Sequence, residues 1–433
     1  MNMIEKILAK ASGKKEVVPG DVVTAKVDLM VLHDLSSTLV ARVFRDELGG
    51  GTIADPSKIV FVFDHNISPA TQEAAETLVE VRRFASEHGI QKVFDCGSGS
   101  LHHVVLERGL WAPGQIIIGC DSHSTIYGAL GLFSTGVGNN SMVGLGFGYS
   151  RAWFRVPQTI KVFLRGVLRE SVSPRDVAQH LVGLMGEDGA VYKALEFTGP
   201  FVEALSIEDR MLFPLMSIDL GAKAGFINPD EKTIAYAKAH SQFKNFDVFQ
   251  NDPNVAYESE VEIDVTKIGP QVACPPTIGN VKPVEDVAGI PINIAEVGGS
   301  TGGRLEDMRV LGKWLKGRRV HQNVRMQVVP ATRGIYLEAL REGLIEIFIL
   351  AGANVFPPGA GSNQAVNMGA MGEGEAMIST QARNFPGRNG HPKARLYLGS
   401  SATVAVSALT GQITDPRTGG PATWHEATSQ FKA

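Results

Sequence analysis

The chain has 433 residues, 44% hydrophobic and 20% charged, with 48 glycines, three cysteines and a formal charge of −4 at pH 7. That length exceeds one ordinary domain, and the balance of apolar and charged residues fits packed cores rather than disorder. The charge excludes a strong electrostatic footprint for nucleic acid or an anionic membrane, and so few cysteines exclude a disulfide framework. Residues 1–17 carry charges and no apolar signal region. No uncharged apolar run reaches membrane-spanning length, so a cytoplasmic protein is expected.

Apolar runs that end in polar clusters organise the first third of the chain. Residues 58–63 end in Asp64-His65-Asn66, residues 91–94 in Asp95-Cys96-Gly97-Ser98-Gly99, and residues 115–118 in Gly119-Cys120-Asp121-Ser122-His123. Helical spacing of apolar positions over 69–88 fills one interval. Strand, polar tip and helix in succession predict a parallel α/β sheet. Ligands bind such sheets at the carboxyl ends of the strands, so the tips should converge on one crevice. Further on, a strand is expected over 159–165, a helix opened by Ser-Pro over 173–183, and a strand over 260–265. The Pro- and Gly-rich stretch 270–283 reads as a domain boundary. Later strands are expected at 327–329, 347–350 and 395–398. After Asp415-Pro416 the polar chain reads as a surface tail.

The tips carry the chemistry. Asp64-His65 and Asp121-Ser122-His123 each set an imidazole beside a carboxylate, and His102-His103 adds another imidazole source. Histidine moves protons near neutral pH, and a carboxylate bonded to it fixes its tautomer and raises its basicity. One such histidine alone serves equally well as a helix cap or loop filler; several on neighbouring strands point to a site. Near the C-terminus, Arg383 and Arg388 flank a turn and suit a bidentate grip on carboxylates, although the same pair also fits a solvated basic loop. The glycine-rich stretch from Gly298 to Arg304 lacks the lysine of a phosphate-binding loop and the spacing of a dinucleotide fold.

Asp64-His65-Asn66, the stretch from Gly119 to His123, the stretch from Met216 to Gly225, the stretch from Ser300 to Arg309, and Arg383-Asn384-Phe385-Pro386-Gly387-Arg388 occur in the order and near the spacing of aconitases. Over nearly its whole length the chain resembles the aconitase superfamily, and is most similar to the large subunits of its isopropylmalate dehydratase branch. The resemblance implies three α/β domains around a central cleft, expected at 1–158, 159–280 and 281–433. The family's swivelling fourth domain has no counterpart here, which implies a separate small subunit as partner. It further implies a hydro-lyase or isomerase acting on a small hydroxy di- or tricarboxylic acid. Asp64, His65, His102, Asp121, His123 and Asp219 match the acid/base machinery, with Asp219 standing where the family has a glutamate. Ser122, Ser300, Arg383 and Arg388 are the expected substrate contacts.

The family's iron–sulfur cluster hangs on three cysteines, and at the matching positions this chain has Ser300, Ala360 and Asn363. Thiolates hold such clusters, so a [4Fe-4S] cluster is not expected. A cluster moved to Cys96, Cys120 and Cys274 is one alternative. A mononuclear divalent metal on His65, His102, His123 and Asp121 is another. Leu215 and Ala382 also replace asparagines of the family pattern. These departures leave open a non-catalytic carboxylate-binding relative, or a lyase or isomerase for a different carboxylate.

Overall fold

A computed structural model describes residues 1–47, 49–139, 142–366 and 368–418. The polar segment expected as a surface tail lies outside the described residues from 419 onward. The expected α/β class is borne out, and the chain divides into two compact units. The first comprises Met1–Asp95, Leu101–Val167 and Glu187–Val265; the second comprises Cys96–Ser100, Leu168–Gly186 and the chain from Thr266.

The first unit begins with the helix Met3–Ser12, started by a capping box between Asn2 and Glu5 and stopped at Gly13 in the left-handed region. Strands β1 (Val22–Lys26), β2 (Leu29–His33), β3 (Ile59–Val62), β4 (Lys92–Phe94), β5 (Ile116–Gly119) and β6 (Phe133–Gly136) follow. All but β1 form a parallel sheet in the order β4-β3-β2-β5-β6. Strands β2, β3 and β5 are buried at every residue, as parallel strands covered on both faces must be. The crossover from β3 to β4 is the helix Gln72–Glu87, capped by Thr71, which buries Leu78, Val81, Phe84 and Ala85 along one stripe. Strand β7 (Arg151–Arg155) pairs antiparallel with β1. Strands β8 (Thr159–Arg165), β9 (Ala194–Thr198), β10 (Ala224–Phe226) and β11 (Ser259–Asp264) make a second parallel sheet in the order β10-β9-β8-β11.

The second unit is built on one sheet of seven strands: β12 (Gln271–Ala273), β13 (Val281–Pro283), β14 (Ile294–Gly298), β15 (Arg325–Val329), β16 (Asn354–Val355), β17 (Ala376–Ser379) and β18 (Arg395–Leu398). Their order is β13-β12-β18-β17-β14-β15-β16, parallel except that β12 pairs antiparallel with both β18 and β13 at one edge. Its core includes Val297, Met308, Leu311, Phe348, Ile378 and Val404. Adjacent β14 and β17 bring the loops that follow them side by side at the carboxyl edge.

The strand expected at 347–350 is instead part of the helix Leu344–Ala351. Leu344, Ile345, Phe348 and Ala351 are buried while Ile349 and Leu350 are exposed, which is helical periodicity inside an apolar run too short to separate from a strand by composition. Among the described residues, no helix is long and apolar enough to cross a membrane.

Candidate active site

The first unit gathers its titratable residues at the tips of β2, β3 and β5. Strand β2 lies between the other two, so its own tip, His33-Asp34, sits at the centre. His33 caps the helix Asp34–Arg42, its Nδ1 accepting the Ser36 N–H at 3.3 Å. That fixes the neutral tautomer with its proton on Nε2. Asp34 is wholly buried, and its two oxygens accept the backbone N–H groups of Asp64, His65 and Asn66 at 2.9–3.1 Å and the Asn66 side-chain amide at 3.0 Å. One carboxylate from β2 thus shapes the whole turn after β3.

Within that turn, His65 Nδ1 lies 2.7 Å from Asp64 Oδ1 and 3.7 Å from Asp34 Oδ1. The other Asp64 oxygen accepts the Leu101 N–H at 2.7 Å, at the start of the helix Leu101–Glu107. Burial alone would strip the proton from His65; the charges and hydrogen bonds of Asp64 and Asp34 overcome it and raise the pKa to about 10. Burial also opposes the charged form of Asp34, but its hydrogen bond and attraction to His65 hold it below the usual carboxylate range. Burial and the neighbouring His65 charge instead lower His33, whose ring centroid is 4.5 Å from that of His65. The result is an imidazolium beside a neutral imidazole. His65 Nε2 is buried and has no hydrogen-bond partner among the described residues.

Asp121, at the tip of β5, organises a second group. It caps the helical turn Ser122–Leu130 by accepting the His123 N–H at 2.7 Å. The same oxygen lies 3.0 Å from His102 Nε2 and 3.5 Å from His123 Nδ1. Burial opposes its charge, but the hydrogen bonds and charges of His102 and His123 keep it well below the usual carboxylate range. His102 Nδ1 is 3.3 Å from the Tyr127 hydroxyl, and His123 Nε2 is 3.6 Å from Asp219 Oδ2. His33 Nε2 stands 3.9 Å from the outer Asp121 oxygen, linking the two groups. The turn needs glycine at 119, because a Cβ there would lie 1.9 Å from Ser124 Oγ.

All six expected acid/base residues, Asp64, His65, His102, Asp121, His123 and Asp219, therefore lie in this unit. Ser122 lines an adjoining cavity of about 350 Å³ with Cys120, Trp153, Tyr192, Ile218 and Lys223. Lys223 Nζ donates to the Gly136 carbonyl at 3.0 Å, and burial lowers its pKa to about 8. Sequence reasoning overlooked His33, Asp34, Tyr127 and Lys223. The first two had a signal, since the apolar run of β2 ends in His-Asp as the next strand ends in Asp-His.

The remaining expected residues, Ser300, Ala360, Asn363, Arg383 and Arg388, belong to the second unit. Ser300 follows β14, and Arg383 and Arg388 follow β17. Beneath them lies a polar network that the sequence did not announce. Glu296, fully buried in β14, accepts hydrogen bonds from the Gln381 amide at 2.9 Å, the Ser362 N–H at 3.2 Å and the Ser379 hydroxyl at 3.5 Å. Burial raises its pKa, with those donors offsetting it in part. Asn389 donates to Ser362 Oγ and Gln381 Oε1, both at 3.1 Å. Buried Arg175 donates to the carbonyls of Thr301 and Gln381, tying the two loops together.

The donor set does not fit a cysteine-held cluster. Ser300, Ala360 and Asn363 offer no thiolate. Of the cysteines, burial pushes Cys120 up to about 12 and raises Cys274, both away from the thiolate that binds metal. Among the described residues, the group of histidine, cysteine and carboxylate side chains at metal-ligand spacing is His33, Asp34, Asp64 and His65, and it contains no cysteine. It is also a different set from His65, His102, His123 and Asp121. In this group the Asp34 oxygens already accept the backbone N–H groups of Asp64, His65 and Asn66 and the Asn66 amide.

The sequence has known counterparts. Residues 5–289 and 277–411 match the model of the aconitase family (aconitate hydratase). The probable 3-isopropylmalate dehydratase large subunit of Methanothermobacter thermautotrophicus is 44% identical over 96% of this chain and 99% of its own. The probable methanogen homoaconitase large subunit of the same organism is 42% identical over 96% and 98%. The 3-isopropylmalate dehydratase large subunit of Aquifex aeolicus is 41% identical over 96% and 97%. The chain belongs to the aconitase family.

Proposed function

We propose that the chain is the large subunit of a hydro-lyase that removes water from, and returns it to, a small malate-type hydroxy acid such as 3-isopropylmalate, by proton transfer and without an iron–sulfur cluster. One observation carries the reading: His65 is buried with Nδ1 2.7 Å from Asp64 and 3.7 Å from Asp34, and its Nε2 meets no hydrogen-bond partner among the described residues.

Dehydration requires a base for the proton α to a carboxylate, cations to absorb the charge that develops there, and an acid for the departing hydroxide. His65 Nε2–H supplies the acid. Arg383 and Arg388 hold carboxylate oxygens. The Asp121 group orders the site: Asp121 orients His102 and His123, and Asp219 receives His123. In the reverse direction neutral His65 takes a proton from water as it adds. The base is assigned to a small swivelling-domain partner, in keeping with relatives named as large subunits.

Purified without oxygen, the chain is expected to lack the broad visible absorption of a cluster, and about four irons per chain would contradict this. Arg388→Lys is expected to weaken binding of 3-isopropylmalate by about tenfold or more, because an ammonium does not reproduce the planar two-bond grip. Calorimetry on the parent and variant tests it; equal affinities would place the carboxylate elsewhere.

A further inference from the structure

We infer that Asn363 positions Arg388: a place that the family resemblance assigns to a cluster cysteine has become the tether of the substrate-binding arginine. The inference rests on the proposed role of Arg388 in holding the substrate carboxylate.

The tether is direct. Asn363 Oδ1 accepts a hydrogen bond from Arg388 Nη2. The guanidinium carbon also stands 5.4 Å from the centroid of the Phe385 ring, and the Arg388 N–H closes the turn onto the Phe385 carbonyl at 3.0 Å. An amide oxygen and a ring face thus hold the guanidinium while leaving it its charge. A carboxylate at position 363 would compete with the substrate's own.

Asn363 is itself held. The preceding residue, Ser362, is wholly buried, and its N–H and hydroxyl both enter the Glu296–Gln381–Asn389 network. The following two residues, Gln364 and Ala365, have φ of 62° and 53°, left-handed values that are costly for residues with a Cβ. Such conformations persist where the surroundings fix a loop to present a group. The same network bonds Gln381 and Asn389, which bracket the arginine turn. The loop that carries Asn363 and the loop that carries Arg388 are therefore locked to one buried base, with Glu296 at its centre.

The test is a double-mutant cycle on Asn363→Ala and Arg388→Lys, with affinity for 3-isopropylmalate measured by calorimetry on the chain co-purified with its small subunit. Asn363→Ala is expected to weaken binding about tenfold, the scale of one charge-assisted hydrogen bond, with kcat changed far less than KM. In the Arg388→Lys background the same change is expected to have little further effect, since residues acting through one another are non-additive. If Arg388→Lys binds like the parent, the role of Arg388 fails and the inference falls with it. If Arg388→Lys weakens binding but Asn363→Ala is silent, or adds its full effect, the inference alone is overturned. A second readout needs no ligand: amide hydrogen exchange over residues 383–390 should accelerate in Asn363→Ala, and unchanged exchange would also overturn it.

Discussion

His65→Asn is expected to lower turnover on 3-isopropylmalate by about a hundred- to ten-thousand-fold, the range for removing a positioned general acid. Asparagine can still meet Asp64 at 2.7 Å, as Nδ1 does, but it has no transferable proton at the Nε2 position. Binding should change much less than rate, because the carboxylate grip is assigned to the arginines. The same residue gives a pH signature. Its pKa rises on folding from 6.5 to about 10, so the folded state binds the proton more tightly than the unfolded one. The stability it contributes is fully present below pH 6.5 and is lost as pH climbs toward about 10. Thermal melting of the parent should therefore fall more steeply across that window than melting of His65→Asn. Parallel melting curves would mean that His65 is not held as an imidazolium.

Asp34→Ala is expected to be the most destabilising single change at the site, by about 3–5 kcal/mol. Asp34 is wholly buried, and its removal leaves the N–H groups of Asp64, His65 and Asn66 without acceptors. It also removes one of the two carboxylates that keep His65 charged. Because its own pKa is depressed on folding, its contribution is present above the ordinary carboxylate range and is lost as pH falls below it. Denaturant unfolding of the variant at neutral pH, with turnover assayed in parallel, checks both consequences. A parent-like midpoint would show that the turn after β3 holds its shape without Asp34.

The legible parts of this protein were those in which one local segment carried the whole signal. Apolar runs ending at Asp64-His65 and at Asp121-Ser122-His123 announced both the parallel strands and the residues at their tips. The substitutions at Ser300, Ala360 and Asn363 were readable because a thiolate has no substitute among those side chains. The central place of His33-Asp34 depended on β2 lying between β3 and β5, and strand order is not written in any one segment. The buried network was less legible still. Glu296, Ser362, and the trio Ser379, Gln381 and Asn389 come from stretches far apart in the chain, and each residue alone reads as an ordinary polar one. The helix Leu344–Ala351 was mistaken for a strand because its exposed face, Ile349 and Leu350, is as apolar as its buried one.

This member of the aconitase family is proposed to protonate the departing hydroxide from His65 rather than to act through a cluster. A direct check is the rate of 3-isopropylmalate dehydration by the chain co-purified with the proposed small-subunit partner, with iron quantified on the same sample before and after chelation. Turnover is expected at iron contents far below one per chain, unchanged by the chelator. Activity that disappears with the iron and returns when a cluster is rebuilt would contradict it.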